Sequence, residues 1–166
     1  MTLVQQLLNL IPADVTEVNI VCVGTDRSTG DSLGPWAGLM LQERGVPNVY
    51  GTIFDPVHAV RLQEGFMDTL PKRFTIGVDA CLGQSSSVGK IKVLDGPLSP
   101  GEGVLRNDLP KVGNISVVGI VNVGGFMEYF VLQNTRLSLV YDMATQVAEA
   151  LTTVTKRINT RSLEVV

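Results

Sequence analysis

The chain has 166 residues, 45% of them hydrophobic, and 13 Lys and Arg against 16 Asp and Glu give a net charge of −3. That length predicts a single domain over residues 1–166 with a sizeable core, and the apolar content excludes a disordered chain. Without a positive excess there is no basic field to hold phosphates, so nucleic acid is not expected as a partner.

The first segment, MTLVQQLLNLIPADV, places Leu3, Leu7, Leu8 and Leu10 at helical spacing, and Pro12 stops it. It has no basic start and no small-residue cleavage site, so it does not read as a signal peptide. No apolar run nears the ~20 residues of a membrane helix, so a soluble cytoplasmic protein with no membrane partner is expected. Val18–Val23 is a nearly all-apolar run bounded by Gly24, the pattern of a strand buried on both faces. A helix is predicted over Pro35–Arg44, with Pro in the first turn and Gly45 as the stop. A second strand follows at Val49–Phe54, then a helix from His58 to Leu70 that Pro71 ends. Further strands are predicted at Phe74–Val78, Lys90–Leu94 and Ile115–Val121, and the longest amphipathic helix at Leu137–Ile158.

Strands alternating with helices imply a mainly parallel five-stranded sheet with helices on both faces, an α/β three-layer sandwich. Cys22 and Cys81 lie in apolar runs and read as buried thiols, Ser85–Ser87 as a flexible loop, and GGFMEYFVL as core or interface, with core preferred. Leu94–Asn114 is the longest irregular stretch.

Ligands in open α/β sheets sit at the carboxyl ends of the strands. The first strand delivers GTDRSTGDSLGP there, the second Asp55 and His58, the third Asp79, and the fifth Asn122 and Gly124. GTDRSTG lacks the middle glycine of a dinucleotide fingerprint and the Gly-Lys-Ser/Thr of a P-loop. There is no G-x-S-x-G and only one histidine, which gives a serine triad little support. Asp31, just before a helix, and Asp79, at the end of a strand, each have an ordinary structural explanation in a helix cap or a loop turn. Together, two acids at adjacent strand ends can share a proton, or hold a metal, and so activate water. Gly24, Thr25, Asp26, Arg27, His58 and Gly124 are the candidate binding residues, with the N–H groups of Gly24 and Gly124 as candidate oxyanion donors. No metal centre is assigned, and Asp31, Asp79 and His58 are the candidates for a divalent ion.

VCVGTDRSTGDSLGP, with VDACLG, GPLSPGEGV and VGIVNVGG downstream, closely resembles the sporulation protein YyaC family of spore-forming bacteria. That family is similar to the spore germination protease and, more distantly, to the hydrogenase maturation endopeptidases. The resemblance implies a phosphorylase/hydrolase-like α/β/α sandwich, with Asp31 and Asp79 at the positions of the two protease aspartates. It implies an aspartate-dependent endopeptidase acting on a protein or peptide in a sporulating cell, or a noncatalytic peptide-binding member of the same fold. In the endopeptidases a histidine beyond the third strand completes a nickel site, whereas GVLRNDLPKVG offers only Asn107 and Asp108.

Overall fold

The computed structural model describes residues 1–101 and 108–164. Residues 102–107 of the irregular stretch, Asn107 among them, lie outside the described residues. The elements are α1 (Leu3–Leu10), β1 (Val18–Cys22), α2 (Leu33–Glu43), β2 (Val49–Tyr50), α3 (Ala59–Gln63), β3 (Phe74–Gly83), β4 (Ile91–Leu94), β5 (Ile115–Val123), α4 (Glu128–Gln133) and α5 (Leu137–Glu164). Short 3₁₀ turns occupy Gly30–Ser32, Phe66–Thr69 and Ser85–Ser87.

The sheet runs in the order β2-β1-β3-β5-β4. β2, β1, β3 and β5 are parallel, and only the edge strand β4 is antiparallel to its neighbour. All five residues of β1 are buried, as its unbroken apolar run predicts for a strand covered on both faces.

Alternation along the strands divides the core in two. Ile20, Cys22, Ile76, Val78 and Val117 face one way, into a large cluster closed by α1, α2 and α5. Val21, Val23 and Val118 face the other way, into a smaller cluster with Val57, Leu62, Leu98 and Val112. The sandwich is therefore lopsided. One face carries three substantial helices, and the other carries the five-residue α3, a 3₁₀ turn and irregular chain. Cys22 is fully buried on the thick side, and desolvation pushes its thiol up to about 12.

Several predicted boundaries move, each for a physical reason. β2 stops at Tyr50 because Gly51 turns to φ 96° and Thr52 Oγ1 then accepts from the N–H groups of Phe54 and Asp55. The helix predicted to run from His58 to Leu70 breaks at Gly65, whose φ of 90° leaves the helical region. Ser85–Ser87, read as a loop, forms one 3₁₀ turn closed by Ser87 N–H on the Gln84 carbonyl. β3 does not end at Val78 but continues to Gly83, because β5 extends alongside it, with an irregularity between Cys81 and Leu82.

The largest correction concerns GGFMEYFVL, expected in the core. It forms α4 and the turn before it, and only Leu132 of its large side chains is buried. Phe126, Met127, Tyr129 and Phe130 are all more than half exposed. Among the described residues, no helix is long and apolar enough to cross a membrane.

Candidate active site

The site forms where β1 stops and β3 does not. β1 pairs with β3 as far as Cys22 opposite Val78, and Val23 N–H still donates to the Val78 carbonyl at 2.7 Å. The chain then leaves the sheet at Gly24, while β3 carries on to Asp79. Asp79 is therefore an interior residue of β3, not its last, but it stands at the step where its neighbour on one side has gone. Its register partner on the other side is Val118. Val118 faces the thin layer, and Asp79 does the same.

Asp31 reaches this step from the loop after β1. The loop is closed at its base by Thr25 N–H on the Asp31 carbonyl, 3.1 Å. Only glycine fits at position 24. Its φ is 147°, and a Cβ there would lie 2.1 Å from the Asp31 carbonyl oxygen. Arg27 N–H on Thr25 Oγ1 and Ser32 Oγ on the Thr29 carbonyl, 3.2 and 2.6 Å, tighten the turn that presents Asp31. α2 begins at Leu33 without a side-chain cap from its N-cap residue Ser32, and Asp31 lies in the first turn of the 3₁₀ segment that leads into it.

The two acids share one environment. Asp79 is 8% exposed, and burial followed by the nearby Asp31 charge pushes its carboxyl well above the usual range. The Ala80 N–H, 2.8 Å from Asp79 Oδ1, opposes that rise. Burial also raises Asp31. The Ser28 hydroxyl beside it acts in the opposite direction, although its buried oxygen makes no hydrogen bond of proper geometry. Among the described residues neither acid belongs to an ion pair. Both carboxyls thus keep their protons to a higher pH than an isolated aspartate does, and Asp79 does so in part because of the charge of Asp31.

Asp31 and Asp79 lie between two cavities and line both. A cleft of about 600 Å³ opens toward β1 and is walled by Thr25, Asp26, Arg27, His58 and Tyr129, among others. A smaller cavity of about 120 Å³ lies toward β5 and is lined by Cys81, Leu98, Val118 and Leu132, among others. Gly24, Thr25, Asp26, Arg27 and His58 thus gather with both acids on the large cleft.

Three expectations do not survive this geometry. Gly124 lines neither cavity, and its N–H is committed to the Gly83 carbonyl at 2.9 Å. Gly24 N–H is likewise committed to the Val57 carbonyl at 3.1 Å, so neither glycine is an oxyanion donor. Among the described residues no three His, Cys, Asp or Glu side chains form a group able to hold a metal ion, so Asp31, Asp79 and His58 are not a ligand set. His58 instead caps α3, its Nδ1 accepting from Arg61 N–H at 3.3 Å. Sequence reasoning missed Tyr129 and Leu132, one on each cavity, because α4 is too short to show helical periodicity.

A family model described as "Protein of unknown function (DUF1256)" matches residues 1–150, and the chain belongs to that family. Over 137 residues it is 57% identical to "Uncharacterized protein YyaC" of Bacillus subtilis (strain 168). The match spans 80% of this chain and 66% of that relative, just under two thirds of the relative's length. Among solved structures, the chain resembles the [NiFe] hydrogenase maturation protease HycI from Thermococcus kodakarensis KOD1, with a TM-score of 0.56 and 16% identity over 90% of this chain and 99% of that one. It also resembles HybD, a [NiFe] hydrogenase maturation protease from Thermococcus kodakarensis, with a TM-score of 0.52 and 12% identity over 83% of this chain and 99% of that one. At these identities the likeness is one of fold.

Proposed function

We propose that this family member is a peptidase-like hydrolase in which Asp31 and Asp79 activate water against a peptide bond. The observation that carries the reading is the acid pair itself: two unpaired, raised carboxyls between two cavities, at the carboxyl edge of a parallel sheet. The likeness to two maturation proteases in fold is consistent with it.

The environments divide the roles. Asp79 is the more deeply buried and feels the charge of Asp31, so Asp79 retains the proton. Protonated Asp79 donates to the carbonyl oxygen of the scissile bond and draws electron density from its carbon. Asp31, less enclosed and ionised, takes a proton from the water that attacks that carbon. The C–N bond then breaks as its nitrogen takes the proton from Asp31, the oxygen re-forms its carbonyl and leaves its proton on Asp79, and the pair returns to its starting state. No step is routed through a metal, because the described donors do not assemble a site for one. The substrate is a protein or peptide lying along the 600 Å³ cleft, in the cytoplasm of a spore-forming cell.

One observation favours a second reading. The Gly24 and Gly124 N–H groups are both committed, so neither stands behind Asp79 as a donor to the developing oxyanion. A noncatalytic member that holds a peptide in the same cleft accounts for that. Incubating the purified protein with a lysate of a spore-forming bacterium and mapping new protein N-termini separates the two. New termini that vanish with Asp31→Asn and with Asp79→Asn support the hydrolase. Capture of a peptide that survives both substitutions, with no new termini, supports the binding protein.

A further inference from the structure

The acid pair brings together groups carried by two separate frames, and something must hold those frames in register. Asp79 is fixed by β3, which is zipped to β5 as far as Gly83 and Val123. Asp31 sits in a turn outside the sheet. On the β1 side its main chain is held by Thr25. On the β5 side it is backed by α4.

The contact with α4 is close. A Cβ built on Gly30, the residue before Asp31, would come 2.7 Å from Leu132 Cδ2 and 3.0 Å from Leu132 Cα. Leu132 is the buried residue of α4 and also lines the cavity that contains both acids. The position of α4 therefore decides where the Asp31 turn can sit.

α4 has only six residues, too few to be stable without tertiary support. Its outer face is exposed, so that face gives little anchorage. Polar anchorage comes from β5. Asn122 Nδ2 donates to the Val131 carbonyl at 3.4 Å and to Thr135 Oγ1 at 3.2 Å. Thr135 Oγ1 donates in turn to the Val131 carbonyl at 2.8 Å. Asn122 Oδ1 accepts from Val123 N–H at 2.8 Å, so the whole amide is used. Asn122 is in register with Leu82, three residues beyond Asp79 on the neighbouring strand.

We propose that Asn122 is a positioning residue for the acid pair: by tying the end of α4 to β5 it keeps Leu132 against Gly30 and sets the Asp31 carboxyl relative to Asp79. The inference rests on the reading of Asp31 and Asp79 as an interacting pair. It assigns Asn122 no contact with substrate.

The test is a carboxyl-carbon NMR titration of Asp79, with and without Asp31→Asn, in five backgrounds: unaltered, Asn122→Ala, Thr135→Val, Thr135→Ser and Ile158→Val. The quantity read is the movement of the Asp79 midpoint caused by Asp31→Asn. Asn122→Ala and Thr135→Val are expected to cut that movement to about half or less, as for residues coupled through one network. Thr135→Ser, which keeps the hydroxyl, restores it. Ile158→Val, a core change far along α5, lowers stability but leaves the movement intact. A movement unchanged in both Asn122→Ala and Thr135→Val overturns the role of Asn122 and leaves the acid pair standing. No movement in the unaltered background overturns the pair as well. If Asn122→Ala fails to fold, the contrast between Thr135→Val and Thr135→Ser decides alone.

Discussion

The charge of Asp31 raises the proton affinity of Asp79, although the two residues belong to different local structures. One is an interior strand residue facing the thin layer of the sandwich. The other is held in a 3₁₀ turn by a loop that closes on its own carbonyl.

That relationship fixes the sign of a pH effect. Asp79 binds its proton more tightly folded than unfolded, so the folded state is penalised as pH rises from the ordinary aspartate range through the raised one. Replacing Asp79 with Asn removes the penalty and keeps an acceptor for Ala80 N–H. Asp79→Asn is therefore expected to unfold at a higher temperature than the parent at pH 7. The difference should close near pH 3, where even an unfolded aspartate is largely protonated. Thermal unfolding at both pH values checks it, and a parent that is the more stable at pH 7 would contradict the burial of an unpaired acid.

Gly24→Ala should be severe. The added methyl would lie 2.1 Å from the Asp31 carbonyl oxygen on a backbone with φ 147°. Strain of this kind costs roughly 1–3 kcal/mol, and the backbone clash adds to it. Urea unfolding should show a loss of at least ~2 kcal/mol, and the Asp79 titration should move toward the ordinary range as the Asp31 turn is displaced. By contrast, Gly45→Ala meets no atom within 4 Å, so its cost is confined to its φ of 74°.

His58→Ala is expected to remove a helix cap and nothing of a metal centre. The loss of its Nδ1 acceptor for Arg61 N–H should cost ~1 kcal/mol, in line with other helix caps. Calorimetric titration with zinc or nickel should give the same isotherm for His58→Ala and the parent. A tight site lost in the variant would restore His58 as a ligand.

Tyr129 and Phe130 should separate binding from stability. They are 62% and 57% exposed, so alanine at either position should change unfolding free energy by no more than ~0.5 kcal/mol. Tyr129 lines the large cleft, whereas Phe130 does not. Tyr129→Ala should therefore weaken capture of a cleft-bound peptide, with Phe130→Ala as the control. Leu132→Ala, from the same helix but buried, should cost ~2–5 kcal/mol.

What the sequence made legible was mostly what a short window contains. The apolar run ending at Gly24, the acid before a proline-led helix and the acid after FTIGV all lie within a few residues of their own signal, and they mark both members of the pair. The continuation of β3 through Cys81 to Gly83 depends on β5 lying alongside, forty residues away in the chain, and nothing in VDACLG announces it. The fate of the glycine N–H groups is equally non-local: Gly24 is bonded to Val57 and Gly124 to Gly83. GGFMEYFVL misled because an apolar composition was read as burial. A six-residue helix turned outward has the same composition as a core segment, and only its packing against Gly30 shows which side chain faces in.

The unequal layering of the sandwich separates what must be kept from what is open to change. Three helices and most of the core lie on one side of the sheet, while the cleft wall is built from α3, short turns and the exposed α4. Substitutions at exposed wall positions such as Val60 and Tyr129 therefore draw on little of the folding free energy. The rim of the cleft is open to variation there, while the buried Leu132 and the sheet that position the acids stay as they are.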